Sequence, residues 1–414
     1  MRNKRKIMND PVYGFVKIPS DLAFDVIQHP YFQRLRRIKQ MGLADFVYPG
    51  AVHTRFQHAI GAMHLMSQTL TSLESKGVYI MDIEREAAQL AILLHDIGHG
   101  PFSHVLEYSI LQGISHEEIT LRVMEKLNEE FQGQLQLAIE MFTGKYNRPF
   151  FHQLISSQLD MDRLDYLNRD SFFSGVVEGR IGVDRIIKML NVHEDRLVVE
   201  EKGLLSVESF LNARRLMYWQ VYLHKTSLSA DVVLNKALKR ARRILQTDDT
   251  LFCPKALKTF LSHPVDAVEI KENDEILEAF LSLDDTDIWY CLKVWKGAED
   301  QVLAKLAEAF VGRHLFKVSL LNEEPEERVI EEIKNRLRAN GISENDLDFY
   351  FQSGKVSNAG YIPKNSSINI LMKSGEILDV ADVSDLPTVK ALGKIVEKHY
   401  LCWTNTLYLQ QDLL

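Results

Sequence analysis

The segment AILLHDIGHGPFSH carries His95 and Asp96 at the end of an apolar run. An unpaired carboxylate there costs roughly several kcal/mol to bury, so something must compensate it. A divalent cation does so, because neutral imidazole and carboxylate oxygen are suitable ligands for iron, manganese, zinc or nickel. His58 in HTRFQHAIG and Asp162 in QLDMDRLDYLNRD supply two further ligands from other helices. Taken singly, each of these residues reads more readily as a hydrogen-bonded core or capping group. Taken together, the four point to a metal centre. His99, one turn after His95, offers a rival H-x3-H pair, which Gly98 weakens because it is expected to end the helix first. His104 and His116 then stand as non-ligand histidines, suited to proton transfer near neutral pH or serving as loop and capping residues.

The elements that must position these groups read as helices. Ala87, Leu90, Ala91 and Leu94 follow the spacing of one buried helical face, which predicts a helix over Ile83–Ile97. Similar faces recur at Phe32–Met41, Phe56–Leu73, Ile119–Leu127 and Val207–Val232. On a helix from Asp160 to Asp170, Asp162, Asp165, Tyr166 and Arg169 share one face, while Leu159, Met161, Leu164 and Leu167 supply the buried side. Such a face can be solvated surface, but a tyrosine among carboxylates and arginines also makes a lining for a phosphorylated sugar. Strands are expected at Tyr13–Ile18 and Arg196–Glu200. From about Leu315 the pattern changes to short strands at Val318–Leu321, Leu347–Gln352, Ser367–Met372, Ile377–Val380 and Tyr400–Trp403, with helices at Pro325–Ala339 and Leu386–Lys398. The expected fold is therefore mainly α: a helical domain over residues 1–310 and a smaller α+β C-terminal lobe over 311–414.

Length supports more than one unit, since 414 residues exceed the ~250–300 at which single cores stop growing. A net charge of -8, spread along the chain, argues against a general nucleic-acid binder. No apolar stretch approaches the ~20 residues that span a bilayer, and MRNKRKIMNDP lacks the apolar core of a signal peptide, so a cytoplasmic protein is expected. Cys253, Cys291 and Cys402 have neither CxxC spacing nor an even framework and read as apolar fillers.

The ordered motifs YPGAVHTRFQHAIG, LLHDIGHGPFSH, HEE and DMDRLDYLNRD resemble those of the HD superfamily, and specifically its deoxynucleoside triphosphate triphosphohydrolase branch. The resemblance begins at NDPVYGFVKI and HPYFQRLRRIKQMG, runs through NARRLMYWQVYLHKT, and so covers about the first 240 residues. It implies a helical HD core and a metal on His58, His95, Asp96 and Asp162. It implies that Arg55, His99, His104 and His116 surround a triphosphate. Arg163, Tyr166, Asp170, Arg214 and Tyr222 match positions that hold phosphates, sugar or base edge, and Gln40 and Met41 match the pair whose fit to deoxyribose excludes a 2′-hydroxyl.

The implied reaction is hydrolysis of a dNTP to deoxynucleoside and inorganic triphosphate, with Mg²⁺ accompanying the substrate and His104 as the acid for the leaving 5′-oxygen. Glu107 stands where an aspartate commonly orients that histidine, and Arg163 where lysine is frequent. His99 and His116 are secondary candidates for stabilising developing charge. Gln28 matches the acidic residue that binds an activating guanine in the family, while Gln33 and Arg36 remain as a candidate regulatory nucleotide site. A homodimer or homotetramer is expected on the same ground. Two other readings stay open: a phosphohydrolase acting on another nucleotide or phosphate ester, and a non-catalytic nucleotide sensor.

Overall fold

The structure, a computed structural model, describes residues 6–102, 111, 113–358, 361, 367–392 and 395–405. It opens with a hairpin of β1 (Ile7–Asp10) and β2 (Gly14–Lys17), where a single strand over Tyr13–Ile18 was expected. Helices α1 (Asp21–Gln28), α2 (Pro30–Gln33), α3 (Arg55–Ser75), α4 (Asp82–Leu94), α5 (His116–Glu130), α6 (Gln136–Phe142), α7 (Pro149–Ile155) and α8 (Met161–Ser174) follow. They are continued by α9 (Val183–Met189), α10 (Leu204–Met217) and α11 (Lys225–Leu245). The core runs through α3 and α4, whose Ala59, Met63, Met66, Ala88, Ala91 and Leu94 are fully buried.

Three expected helices end early, each for a local reason. The helix proposed over Phe32–Met41 stops at Gln33 and tightens to a 3-10 turn, Arg34–Arg37; Ile38 is extended, and its neighbours Lys39 and Gln40 run beside His53 and Thr54. Helix α4 ends at Leu94 rather than Ile97, because the His95 ring turns back so that Nδ1 meets the Ile92 carbonyl at 2.6 Å. The segment Val207–Val232 divides at a π turn, Tyr218–Tyr222, and at extended His224, whose Nδ1 caps α11 through the Thr226 amide.

Beyond α11 come α12 (Lys255–Ser262), α13 (Ala267–Glu272), α14 (Asp274–Ser282), α15 (Asp285–Trp295) and α16 (Gln301–Val311), then α17 (Glu327–Ala339) within the lobe. Strand β5 (Lys317–Leu321) and strand β6 (Phe351–Asn358) flank β9 (Val396–Trp403) in one antiparallel sheet. Residues Leu347–Tyr350, expected as strand, form a helical turn before β6, and the helix expected over Leu386–Lys398 is confined to Pro387–Leu392 because β9 begins at Val396. A second sheet joins early and late chain: β3 (Leu190–His193) and β4 (Arg196–Glu200) continue into β7 (Asn369–Leu371) and β8 (Ile377–Asp379), with β4 and β7 parallel. The fold is mainly α, a helical core with a smaller α+β lobe.

Lys236 on α11 is 8% exposed and has no ion pair among the described residues. Burial, with Lys239 and Arg243 on the same helix, pushes its amine down to about 8. Because that value lies below the unfolded one, the fold penalises the ammonium form at neutral pH, and the penalty fades as pH rises from about 8 toward 10.5. Lys236→Met should therefore stabilise the protein at pH 7 by about 2 kcal/mol, with the gain over wild type shrinking to nothing above pH ~10. Urea unfolding at both pH values checks it; a pH-independent gain would assign the effect to packing instead.

Candidate metal and phosphate site

Four helices bring the chemistry together. Thr54 precedes α3, where its backbone amide is bonded by the Gln57 side chain at 2.8 Å, and this start directs Arg55 and His58 inward. Ser115 and Glu118 close a reciprocal capping box at the head of α5, which fixes His116 in its first turn. Asp160 caps α8 through the Arg163 amide at 2.7 Å, setting Asp162 in the first turn. Gly98, expected as a helix cap, is instead a close-approach residue: a Cβ there would stand 2.4 Å from the His116 carbonyl oxygen and the Thr120 nitrogen. Helix α5 thus packs directly on the turn that follows His95 and Asp96.

At the centre, His58 Nε2 and His95 Nε2 are 3.3 Å apart, and Asp162 Oδ1 lies 3.1 and 3.4 Å from them. The opposite ring nitrogens are both occupied. His58 Nδ1 meets the Asp165 carboxylate at 2.7 Å, and His95 Nδ1 donates to the Ile92 carbonyl. With their protons on Nδ1, the neutral rings face each other with two lone pairs beside a carboxylate, an arrangement that a cation between them relieves. The donor set therefore fits a divalent metal, and Asp162, a quarter exposed, leaves one side open as a reactive centre requires. Asp96 is adjacent: its oxygens are 3.5 Å from His95 Nε2 and 3.8 Å from His58 Nε2, and Arg55 Nη1 pairs with it.

The electrostatics follow this geometry. Burial works against protonation of His58, but with no metal between the rings Asp162 and Asp165 overcome it and raise the imidazole to about 10; a bound cation would take the place of the Nε2 proton and leave the ring neutral. His99 behaves oppositely: burial and then Arg55 push it down to about 3, which keeps its ring neutral. His99 does not join His95 in an H-x3-H pair. It stacks on His116 with ring centroids 3.9 Å apart, and its Nδ1 is 3.3 Å from Asp96 Oδ1, so Asp96, His99 and His116 form a second group able to hold a cation.

Around Asp162 lies a polar and aromatic wall. Tyr166 is close enough to Asp162, Arg163 and Arg214 to feel their charges, and its ring centroid is 6.2 Å from that of Tyr222. Arg163 pairs with Asp160 at 2.5 Å and Arg214 donates to Gln158 at 2.8 Å, while the Nε of each arginine is buried without a hydrogen-bond partner among the described residues. The side-chain oxygen of Gln40 is likewise buried and unbonded. Asp170, expected against the ligand, has both oxygens engaged, one by His53 at 2.6 Å and one by the Tyr222 hydroxyl at 2.7 Å. It holds these two side chains rather than offering a free acceptor. Arg36 lies over the Phe56 ring at 3.6 Å and donates to Gln33. His104 and Glu107 lie outside the described residues.

Sequence reading missed the support behind His58. Asp165 also accepts two bonds from Arg169, at 2.9 and 3.0 Å, and Arg169 reaches Asp10 in β1 at 2.8 Å. The spacing of Asp165 and Arg169 on one helical face was the available signal. Gly61 lets this pair pass beneath α3, since a Cβ there would meet both side chains at 2.1 Å.

A helical core with a histidine, a His–Asp pair and a distal aspartate at its centre has the donor set of a metal-dependent hydrolase. Residues 55–170 match the HD domain and 181–253 the HD associated region. The chain is 32% identical to protein YwfO of Bacillus subtilis over 92% of its own length and 88% of that protein. It superposes on a phosphohydrolase from Bacteroides thetaiotaomicron with TM-score 0.93 and 51% identity, covering 97% of this chain and all of that one. It is also 28% identical to the deoxynucleoside triphosphate triphosphohydrolase SAMHD1 homolog of Dictyostelium discoideum, over 66% of this chain and 57% of the relative. The chain belongs to the HD-domain phosphohydrolases. No helix among the described residues is long and apolar enough to cross a membrane.

Proposed function

We propose that the protein hydrolyses deoxynucleoside triphosphates to deoxynucleoside and inorganic triphosphate, by attack of water on the α-phosphorus. The observation that carries this reading is the set of buried polar atoms, without a hydrogen-bond partner among the described residues, on Gln40, Arg163 and Arg214, the latter two charged and beside Tyr166. Buried donors and acceptors without partners are expensive unless a ligand satisfies them; guanidinium donors suit phosphate oxygens, and an amide oxygen suits a sugar hydroxyl.

A divalent metal held by His58, His95, Asp96 and Asp162, whether iron, manganese, zinc or nickel, would supply a water of lowered pKa and polarise the phosphoryl oxygen, with Mg²⁺ accompanying the triphosphate. Arg55 orients Asp96 and adds positive charge on the phosphate side. Arg163 and Arg214 clamp phosphate oxygens. Neutral His99, stacked on His116, donates a hydrogen bond to developing charge without competing as a proton store. His104, oriented by Glu107, delivers a proton to the leaving 5′-oxygen. Gln40 and Met41 meet the deoxyribose, and Tyr166 and Tyr222 flank sugar and base, with Asp170 fixing the Tyr222 hydroxyl. Gln33 and Arg36, on the Phe56 ring, form a platform for a regulatory nucleotide, and the working form is a homodimer or homotetramer.

The test incubates the protein with each dNTP and NTP, with Mg²⁺ and with Mn²⁺, and separates the products. Inorganic triphosphate from dNTPs and not from NTPs is the expected result. Release of orthophosphate or pyrophosphate would move the reading to another phosphate ester, and no turnover of any nucleotide by metal-loaded protein would move it to a sensor.

A further inference from the structure

Three stretches of chain carry candidate site residues: Ile38–Gly42 with Gln40 and Met41, His53–His58 with Arg55 and His58, and Gly98–Phe102 with His99. The first two are joined through their backbones, with the Gln40 amide bonded to the His53 carbonyl at 2.9 Å and the Arg55 amide to the Ile38 carbonyl at 3.0 Å. The third is tied to them by side chains. Asp285, the first residue of α15, accepts the Phe102 amide on Oδ1 and the Lys39 amide on Oδ2, both at 2.9 Å. It is 5% exposed, and it lies beyond both family-matched regions, which end at residue 253.

The geometry at the junction is tight. Phe102 holds φ +52°, a left-handed conformation that costs a non-glycine residue energy and needs surrounding bonds to persist. Gly42, at φ +54°, comes so close that a Cβ on it would stand 3.6 Å from the Phe102 carbonyl oxygen. Arg34, fully buried, reinforces the link: it donates to the Leu283 carbonyl and to the His99 carbonyl, each at 2.7 Å. The residues just before α15 are thereby bonded to the turn that carries His99.

We propose that Asp285 is a positioning residue of the hydrolase site: its carboxylate fixes the gap between the Gln40 strand and the Gly98–Phe102 turn, and so sets the fit of the substrate sugar. The sugar assignment rests on the dNTP reading above; the positioning role does not. An aspartate is required because both oxygens face N–H donors. The amide nitrogen of asparagine would face an N–H with another N–H, and the extra methylene of glutamate would drive the two stretches apart. Burial pushes this carboxyl up to about 6, while the Lys39 and Phe102 amides oppose that rise. Such a costly group is kept where no neutral acceptor pair does the same work.

The experiment compares Asp285→Asn with Asp284→Asn. Asp284 caps the same helix through the Thr286 amide and pairs with Arg37, but it bonds neither lining stretch. Both variants should lose some thermal stability and keep their bound metal. Only Asp285→Asn should raise KM and lower kcat/KM, by about ten- to a hundredfold as expected for a misplaced binding wall, and shift the ratio of NTP to dNTP turnover. Hydrogen exchange gives a readout independent of activity: the Phe102 or the Lys39 amide, whichever faces the new amide nitrogen, should lose protection in Asp285→Asn, and neither should in Asp284→Asn. If wild type cleaves a different phosphate ester, kcat/KM is read on that ester and only the sugar assignment falls. Retained protection of both amides in Asp285→Asn, or equal kinetic losses in the two variants, overturns the positioning role.

Discussion

Replacing His95 with alanine is expected to eliminate bound metal and to reduce hydrolysis by at least about a thousandfold. The argument starts from the three donor atoms that converge within 4.8 Å, His58 Nε2, His95 Nε2 and an Asp162 oxygen. Removing one imidazole leaves an incomplete set around Asp162, and the rate loss follows from several kcal/mol of transition-state stabilisation at ~1.4 kcal/mol per tenfold. The fold should survive, because the His95 ring is replaced by a cavity beside polar groups and not within the α3–α4 core. Elemental analysis and turnover of the same preparation decide the matter. Metal retained at full occupancy together with wild-type turnover would remove His95 from the centre. Metal lost with turnover intact would make the ion structural and leave the chemistry to the Asp96, His99 and His116 group.

The candidate metal residues that the structure draws together were legible in the sequence because of their types: a His–Asp pair after four apolar residues is costly to bury without a compensating charge. Helix periodicity also located α3, α4, α5 and α8 to within a few residues, although α3 and the run Ala87–Leu94 of α4 are buried on nearly every side. What stayed hidden depends on contacts between distant segments. Asp285 looks like any first-turn acid of a helix, and only tertiary structure brings Lys39 and Phe102 to its two oxygens. Asp170 was legible as an acid matching a substrate-binding position but not as one whose oxygens are engaged by His53 and Tyr222. The early ends of the helices near Gln33 and Leu94 were hidden for the same reason: backbone groups there bond to partners many residues away or to a side chain turning back, and these bonds outweigh local propensity.

Arg169→Met should be the most destabilising single change in the site region, by about 3–5 kcal/mol. Arg169 is fully buried between Asp165 and Asp10, so its loss takes the guanidinium away from two buried carboxylates and leaves Asp165 with His58 alone. The pH dependence gives the signature. In the wild type, burial raises the Asp165 carboxyl, but Arg169 and His58 overcome it and hold the value below the ordinary range. That contribution is present above the unfolded pKa and fades as pH falls through the folded one. In Arg169→Met the carboxyl is expected to rise above the unfolded value, so the variant's stability is greatest in acid and is lost as pH climbs. The two denaturation midpoints should therefore converge toward pH 4 and separate toward pH 7, as measured by urea unfolding across that range. A constant difference at all pH values would assign the loss to packing against Tyr13, whose ring lies 5.5 Å from the guanidinium, and not to the stranded charges. If the charges are responsible, metal affinity should fall as well, because an Asp165 that has taken a proton no longer fixes the His58 Nδ1 proton, and His58 then loses the tautomer that aims its Nε2 lone pair at the metal.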